Sequence, residues 1–310
     1  METIPHPNPR FMAELPRMEP VVRDSTIEMR AKTCKRYYFY TTVLGYRERK
    51  NAIYLNWGIA YHKFREVLER TNGDVKAAIK VVIDTWQKEQ GGDPPVGTKW
   101  DWMTLERLLA SCKQAYQWWL REKEMKRVVV LPDFIEKQLT VLLKDGKTTI
   151  GAKVDQLTRW VGRLWGRDFK TSSKMGKYYE RQLEPNDQFM RQTLIETRLT
   201  GEPVQGVLVE VLYNTKLQGP EIKGFTTTRS LDQLARWEDE QVYLAEELQR
   251  NRDSDVWPME EKQCPFCAFR IVCKAATEKA MVAQLRANFD LKPWNFFHTS
   301  EDDDGPADDT

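Results

Sequence analysis

Residues 148–171 read TTIGAKVDQLTRWVGRLWGRDFKT. Two strand-like runs, 148–159 and 163–170, flank a turn at Gly162, and a second turn signal, Asp145-Gly146, stands just upstream. Before that turn, residues 128–143 (VVVLPDFIEKQLTVLL) are strand material interrupted near Pro132. Three consecutive strands joined by tight turns predict an antiparallel meander. Side chains two residues apart in a strand point to one face, so Asp168 and Lys170 share a face. Pairing across Gly162 brings Asp155 beside Asp168. Two carboxylates and a lysine then occupy one patch of sheet.

Working outward, the pattern predicts a helix over 185–200, an apolar strand over 204–213 (VQGVLVEVLY), a short strand over 222–228 and a long helix over 230–250. Upstream of Lys126 the texture is helical. It begins with a Ser-x-x-Glu capping signature at Ser25 and Glu28, and helices follow at 57–71, 73–90 and 102–126, the last two separated by GGDPPVG at 91–97. The expected organisation is a flexible segment over 1–24, a helical cap over 25–126, a mixed α/β core over 127–260, a cysteine-rich segment over 261–285 and an acidic disordered tail over 298–310. No internal repeat is visible.

The chain has 310 residues, 41% of them hydrophobic and 30% charged, an ordinary globular composition. No apolar run approaches the roughly 20 residues that span a bilayer. The opening METIPHPNPRFMAELPRMEP sets prolines and acids where a secretory signal would be apolar, so no membrane association and a cytoplasmic location are expected. The net charge is +2, but residues 301–310 hold six acids and no base; setting them aside leaves 48 bases against 40 acids, or +8. A mildly basic body suits a protein that handles a polyanion.

Two carboxylates and a lysine on one sheet face suit phosphodiester hydrolysis. Hard oxygen ligands hold Mg²⁺ or Mn²⁺, the ion activates water and stabilises charge on phosphate, and a neighbouring lysine adds electrostatic stabilisation. An Asp-x-Lys tripeptide alone is more often a surface salt bridge, so the weight lies in its surroundings. Gly151-x-x-x-Asp155, then Asp168-Phe169-Lys170-Thr171, preceded by Gly58-Ile59-Ala60-Tyr61-His62, resembles the motifs of the PD-(D/E)XK superfamily, in particular the RecB/AddB nucleases and the CRISPR-associated spacer-processing nuclease.

The resemblance implies a restriction-endonuclease-like core in which His62, Asp155, Asp168 and the main-chain carbonyl of Phe169 bind the cation and Lys170 assists attack by water. Glu66, one helical turn after His62, is a candidate supporting carboxylate. Gln188 matches the first residue of the family's Gln-x-x-x-Tyr, a candidate for contacting DNA or the attacking water, but Gln192 replaces the tyrosine. The implied activity is exonucleolytic cleavage of DNA that is single-stranded or has free ends, in recombination, repair, phage DNA processing or spacer acquisition. Partners would be such DNA and a separate helicase, recombinase or integrase in a bacterial, archaeal or phage-infected cell. A non-catalytic DNA-binding or assembly subunit with the same fold is the alternative.

The five cysteines are Cys34, Cys112, Cys264, Cys267 and Cys273. Cys112 reads as a packed helix residue. Cys264-Pro-Phe-Cys267, five residues and then Cys273 resemble the C-terminal cluster of AddB and its relatives, where a fourth ligand lies far upstream, the place of Cys34. The resemblance implies a structural [4Fe–4S] cluster stapling the helical first third to the end of the chain. Structural zinc is the rival.

Gly146-Lys147-Thr148 resembles the end of a phosphate-binding loop, but Val141 occupies the required first glycine and the segment falls in a hairpin. Three histidines, two of them in the expected tails, argue against a Ser/His/Asp hydrolase. The run KTSSKMGKYYERQ at 170–182 offers Lys174, Lys177, Tyr178 and Tyr179 as DNA contacts. The eleven tryptophans read mainly as core or interface; Trp57 and Trp100 are candidates for lining a DNA path that nothing else in the sequence marks.

Overall fold

The computed structural model describes residues 12–18, 20–49, 52–125, 128–174 and 177–297, the side chains of Lys177 and Tyr178 excepted. In chain order the elements are α1 (Ser25–Thr33), α2 (Lys35–Tyr38), β1 (Tyr46–Glu48), α3 (Ile53–Arg70), α4 (Val75–Gln90), α5 (Leu105–Met125), β2 (Val128–Val130), β3 (Lys137–Leu142), β4 (Thr149–Val154), β5 (Gln156–Trp160) and β6 (Arg163–Ser172). They continue with α6 (Lys177–Arg181), α7 (Asp187–Thr200), β7 (Val204–Tyr213), β8 (Glu221–Thr228), α8 (Leu231–Ser254), α9 (Arg270–Cys273), α10 (Glu278–Asn288) and β9 (Phe289–Leu291). None of the described helices is long and apolar enough to cross a membrane.

The chain divides into two compact units. One comprises residues 51–141 and 152–237 and contains a mixed five-stranded sheet in the order β2-β5-β6-β7-β8. β5 and β6 form the expected hairpin, pairing Gln156 with Arg167 and Trp160 with Arg163. Val161 and Gly162 both have positive φ in the turn, the hand that suits twisted strands. β6 and β7 run parallel, because α7 supplies the long crossover that parallel pairing requires. The expected three-strand meander is therefore corrected. The run 148–159 breaks at Asp155 into β4 and β5, and β3 pairs with β4 as a separate two-stranded hairpin.

β7 is covered on both faces, which explains its near-continuous apolar sequence. Val207, Val209, Val211 and Tyr213 pack with Phe189 and Leu183. Leu212 lies with Phe169 and Ile222 in the other cluster, among Trp57, Tyr61, Phe64, Trp86 and Cys112 of α3, α4 and α5. Each such aliphatic side chain contributes about 1.5–3 kcal/mol on burial. Asp74 caps α4 by accepting from the Ala77 amide, and Gly91 ends it at φ 74°. The apolar stripes of α3, α4 and α5 meet one another and the sheet, so Cys112 is fully buried, as expected.

The other unit comprises residues 1–50, 142–151 and 238–310. Its core joins Tyr38, Phe39, Tyr40 and Leu44 to Leu248, Trp257, Phe269 and Leu285. β1 and β9 pair within it. The described part of 1–24 is not loose. Met12 and Leu15 belong to this core because they are apolar, and the Arg23 backbone bridges to Ile150. Gly151 is required here, since a Cβ would stand 2.5 Å from Val22 and 2.6 Å from Phe296. The cap of α1 is Asp24, whose carboxylate accepts from the Ile27 amide, rather than Ser25. The expected cap at 25–126 is also redistributed, with α1 and α2 in this unit and α3–α5 in the sheet unit. The expected acidic tail at 298–310 lies outside the described residues.

Candidate active site

β6 presents Asp168 and Lys170 on the face covered by α7, and Arg167 and Phe169 on the face covered by α3 and α5. Asp168 is 3% exposed. The Lys170 ammonium donates to Asp168 Oδ1 at 3.1 Å and lies 2.9 Å from Oδ2. Gln188, on the first turn of α7, binds both: its Nε2 donates to Asp168 Oδ1 at 2.9 Å, and its Oε1 accepts from Lys170 at 2.9 Å. Further along α7, Gln192 donates to Glu196 at 2.9 Å and does not join this triangle. Gly166 makes room for that pair, since a Cβ there would meet Gln192 Nε2 and Glu196 Oε2 at 2.7 Å. Burial holds the Glu196 carboxyl protonated well above the usual range.

Asp155 stands at the break between β4 and β5. Its Oδ2 accepts the Phe169 amide at 2.6 Å, and its Oδ1 lies 3.3 Å from His62 Nδ1 on α3. Burial disfavours its charge, but the neighbouring His62, Lys170 and the Phe169 amide outweigh burial and lower its pKa. Asp168 is pushed up to about 6 by burial and by the charge of Asp155, against the pull of Lys170. His62 goes up to about 10, because Asp155 and Glu136 outweigh the cost of burying its charge. The result is an acid pair whose members differ in proton affinity.

Glu136, just before β3, completes a trio that the sequence reading missed. Ligand atoms of His62, Glu136 and Asp155 all lie within 4.8 Å of one another, with Glu136 3.9 Å from His62 Nδ1. Its backbone has φ 49°, unusual for a residue with a side chain, and its amide donates to the Asp155 carbonyl at 2.9 Å. Lys153 holds its other oxygen at 2.7 Å. The only sequence signal was a lone acid at the head of a strand. Glu66 is placed differently from expectation, its carboxylate being taken by Lys63 at 3.1 Å and Arg70 at 3.0 Å.

The Phe169 ring is clasped on its own face. The Arg65 and Arg167 guanidinium carbons stand 4.4 Å and 5.2 Å from the ring centroid. Glu210, paired with Phe169 in the β6–β7 ladder, accepts from both arginines on Oε2 and from Tyr61 on Oε1. Arg167 also reaches Glu122 at 2.5 Å. Burial opposes charge on Arg167, but Glu122 and Glu210 keep it protonated. This buried network fixes the peptide whose amide holds Asp155.

Of the expected DNA contacts, Lys174 is exposed and Tyr179 is half-buried with its ring edge-on to Tyr213 at 5.7 Å. Burial raises the Tyr179 pKa to about 12. The stretch 170–182 is not a continuous loop, because α6 begins at Lys177. The side chains of Lys177 and Tyr178 lie outside the described residues.

In the other unit, Cys34, Cys264, Cys267 and Cys273 line one cavity of about 220 Å³ with Tyr37, Tyr40 and Phe269. The Glu260 amide donates to Cys34 Sγ at 3.4 Å, and the Tyr40 hydroxyl is 3.7 Å from Cys273 Sγ. Burial raises the thiol pKa of Cys267 and Cys273.

The family model of the PD-(D/E)XK nuclease superfamily matches residues 29–274. The chain belongs to that superfamily. Within that range Asp155 immediately precedes the β5–β6 hairpin, Asp168 lies on β6, and Lys170 follows two residues later. Among solved structures, a Eubacterium rectale protein described as "Putative exonuclease" is similar in fold, with 14% identity, a TM-score of 0.51, and coverage of 80% of this chain and 86% of that one. Another, described as SSO0001, gives 14% identity over 81% of this chain and 98% of that one, with a TM-score of 0.29. Among curated proteins, none matches the sequence. This member of the nuclease superfamily thus keeps Asp155, Asp168 and Lys170 together, with His62 and Glu136 alongside.

Proposed function

We propose that the chain is a divalent-cation-dependent deoxyribonuclease of the RecB/AddB-like branch, acting exonucleolytically on DNA that is single-stranded or has free ends. The observation that carries this reading is the convergence of Asp155, Asp168, Lys170 and His62 at one end of the hairpin. Buried carboxylates are the oxygen donors that Mg²⁺ or Mn²⁺ takes, and the imidazole beside them favours the transition ion Mn²⁺ over Mg²⁺, so the residues fit a divalent ion. His62, Glu136 and Asp155, whose ligand atoms lie within 4.8 Å of one another, would hold it, and Asp168, now bound by Lys170 and Gln188, and the Phe169 carbonyl would join them as the resemblance implies. Bound there, the cation would supply Lewis-acid stabilisation of phosphate and a lower pKa for attacking water.

The chain's own groups do the rest. Lys170, kept on Asp168 by Gln188, places a positive charge beside the scissile phosphate and orients the attacking water. The Phe169 amide holds Asp155 ionised, and the Arg65–Glu210–Arg167 network prevents that peptide from drifting. Exposed Lys174 grips backbone phosphate without reading sequence.

A [4Fe–4S] cluster on Cys34, Cys264, Cys267 and Cys273 belongs to the same reading. The four cysteines line one cavity, and their single Cys-x-x-Cys knuckle supports the cluster over zinc, whose structural sites commonly pair two short knuckles.

The test is hydrolysis of labelled linear and covalently closed single-stranded DNA with Mg²⁺ or Mn²⁺, wild type against Asp168→Ala. Cleavage of the linear strand alone, lost in the variant, supports the proposal. Cleavage of closed circles would make the enzyme an endonuclease. No cleavage by intact protein would favour a DNA-binding subunit.

A further inference from the structure

One group of aromatic side chains in the sheet unit runs outward from the core to the surface, with Trp100 and Trp102 packed against the core cluster from its edge. Trp57 is 2% exposed and meets Trp86 edge-on at 6.0 Å, as a core residue should. Its neighbours continue outward. Trp102 lies 6.3 Å from Trp57, Trp100 6.3 Å from Trp102, and Tyr54 6.0 Å from Trp100, all as ring-centroid separations. Tyr54 is 51% exposed and its neighbour Leu55 49%, while Trp100 is only partly buried. Lys99, itself exposed, stands with Nζ 4.7 Å from the Trp100 ring centroid. A half-exposed tyrosine ring beside a partly buried tryptophan with a cation over it leaves aromatic faces at the surface that burial alone does not explain.

The ladder is aligned with the candidate active site. Tyr54, Gly58 and His62 fall at i, i+4 and i+8 of α3 and therefore share a stripe of that helix. Gly58 abuts β6, its Cβ position being 3.6 Å from the Thr171 hydroxyl, next to Lys170. Eight helical residues correspond to an axial rise of about 12 Å, so Tyr54 stands a short span of strand away from His62.

We propose that the Tyr54–Trp100–Trp102 ladder with Lys99 is a stacking platform for unpaired nucleobases of a strand entering the Asp155–Asp168 centre. The chemistry is complementary on both counts. Every base offers a π-face to the rings, and the phosphates that join the bases are attracted by Lys99. A duplex keeps its bases stacked on one another and offers the rings nothing. The platform thus rests on the nuclease reading and deepens it by selecting unpaired strand.

Binding is measured by fluorescence anisotropy with labelled oligodeoxythymidylate in EDTA, where no hydrolysis occurs, for wild type, Trp100→Ala, Trp100→Phe and Tyr54→Ala. The two alanine variants should bind about 5- to 160-fold more weakly, the range expected for losing one stacked base, and Trp100→Phe should keep most of the affinity. Tyr54 is half exposed, so its truncation leaves the fold intact even if Trp100→Ala does not. Folded alanine variants that bind within twofold of wild type would overturn the platform, and the surface would then serve a different partner. Wild-type hydrolysis of bis(p-nitrophenyl) phosphate with Mn²⁺, a diester too small to reach the ladder, separately tests the nuclease reading. Its absence would count against that reading while leaving the binding comparison decisive for the platform.

Discussion

The Phe169 amide donates to Asp155 Oδ2 at 2.6 Å, joining the start of β5 to the middle of β6 by a single buried hydrogen bond. The bond ties one candidate cation ligand to the peptide between Asp168 and Lys170. It also leaves Asp155 Oδ1 facing His62. Asp155→Asn can still accept from that amide, so the fold should survive while the ligand charge is lost. DNA hydrolysis should fall by at least about 100-fold with little change in Tm. Retained turnover would remove Asp155 from the site.

Lys170 donates hydrogen bonds to Asp168 and Gln188 and lies near enough to Asp155 to stabilise its charge. Lys170→Ala should leave DNA affinity within a few-fold of wild type and cut turnover by about 10²–10³, the usual effect of deleting one charge-stabilising donor. Single-turnover hydrolysis at saturating cation checks this, and an unchanged rate constant would sink the role.

Cation binding should strengthen as pH rises. His62, raised to about 10, must lose a proton to become a ligand, and so must any protonated Asp168, whose pKa is about 6. Each proton displaced makes the apparent affinity climb with pH. Calorimetric Mn²⁺ titrations between pH 5.5 and 8.5 should show tightening and proton release in buffers of different ionisation enthalpy. A pH-independent affinity would contradict the assignment.

Glu210 neutralises two buried guanidiniums at once. Glu210→Ala leaves Arg65 without this partner and removes one of the two carboxylates bound to Arg167. Breaking a buried pair in this way costs about 3–5 kcal/mol, which thermal unfolding would report as a clear drop in Tm. An unchanged Tm would show that the network carries no stability.

Cys267→Ala should yield colourless protein of low solubility, with iron content reduced in parallel. Brown, fully soluble variant protein would show that Cys267 is no ligand.

Much of this was legible in the residues. A period of two along 163–170 and the turn at Gly162 suffice to place Asp155 beside Asp168 and to put Lys170 on the same face as Asp168, because both rules are local. The spacing of Cys264, Cys267 and Cys273 marks them as a group for the same reason. Glu136 was not legible. Nothing near it in sequence says that a strained φ of 49° turns its carboxylate toward His62, more than seventy positions earlier. Glu210 looked like one acid in an apolar strand, and its use appears only when Arg65 and Arg167 arrive from α3 and β6.

By itself, then, the sequence determined the hairpin, the acid–x–lysine face and the helix that carries His62, since these follow from backbone periodicity and turn chemistry. Tertiary structure alone decided which acids surround His62, that Glu66 belongs to Lys63 and Arg70, and that Tyr54 stays half exposed beside a partly buried Trp100. Those outcomes depend on which distant segments share a buried volume, where charge must find a partner, and local pattern carries no record of that pairing.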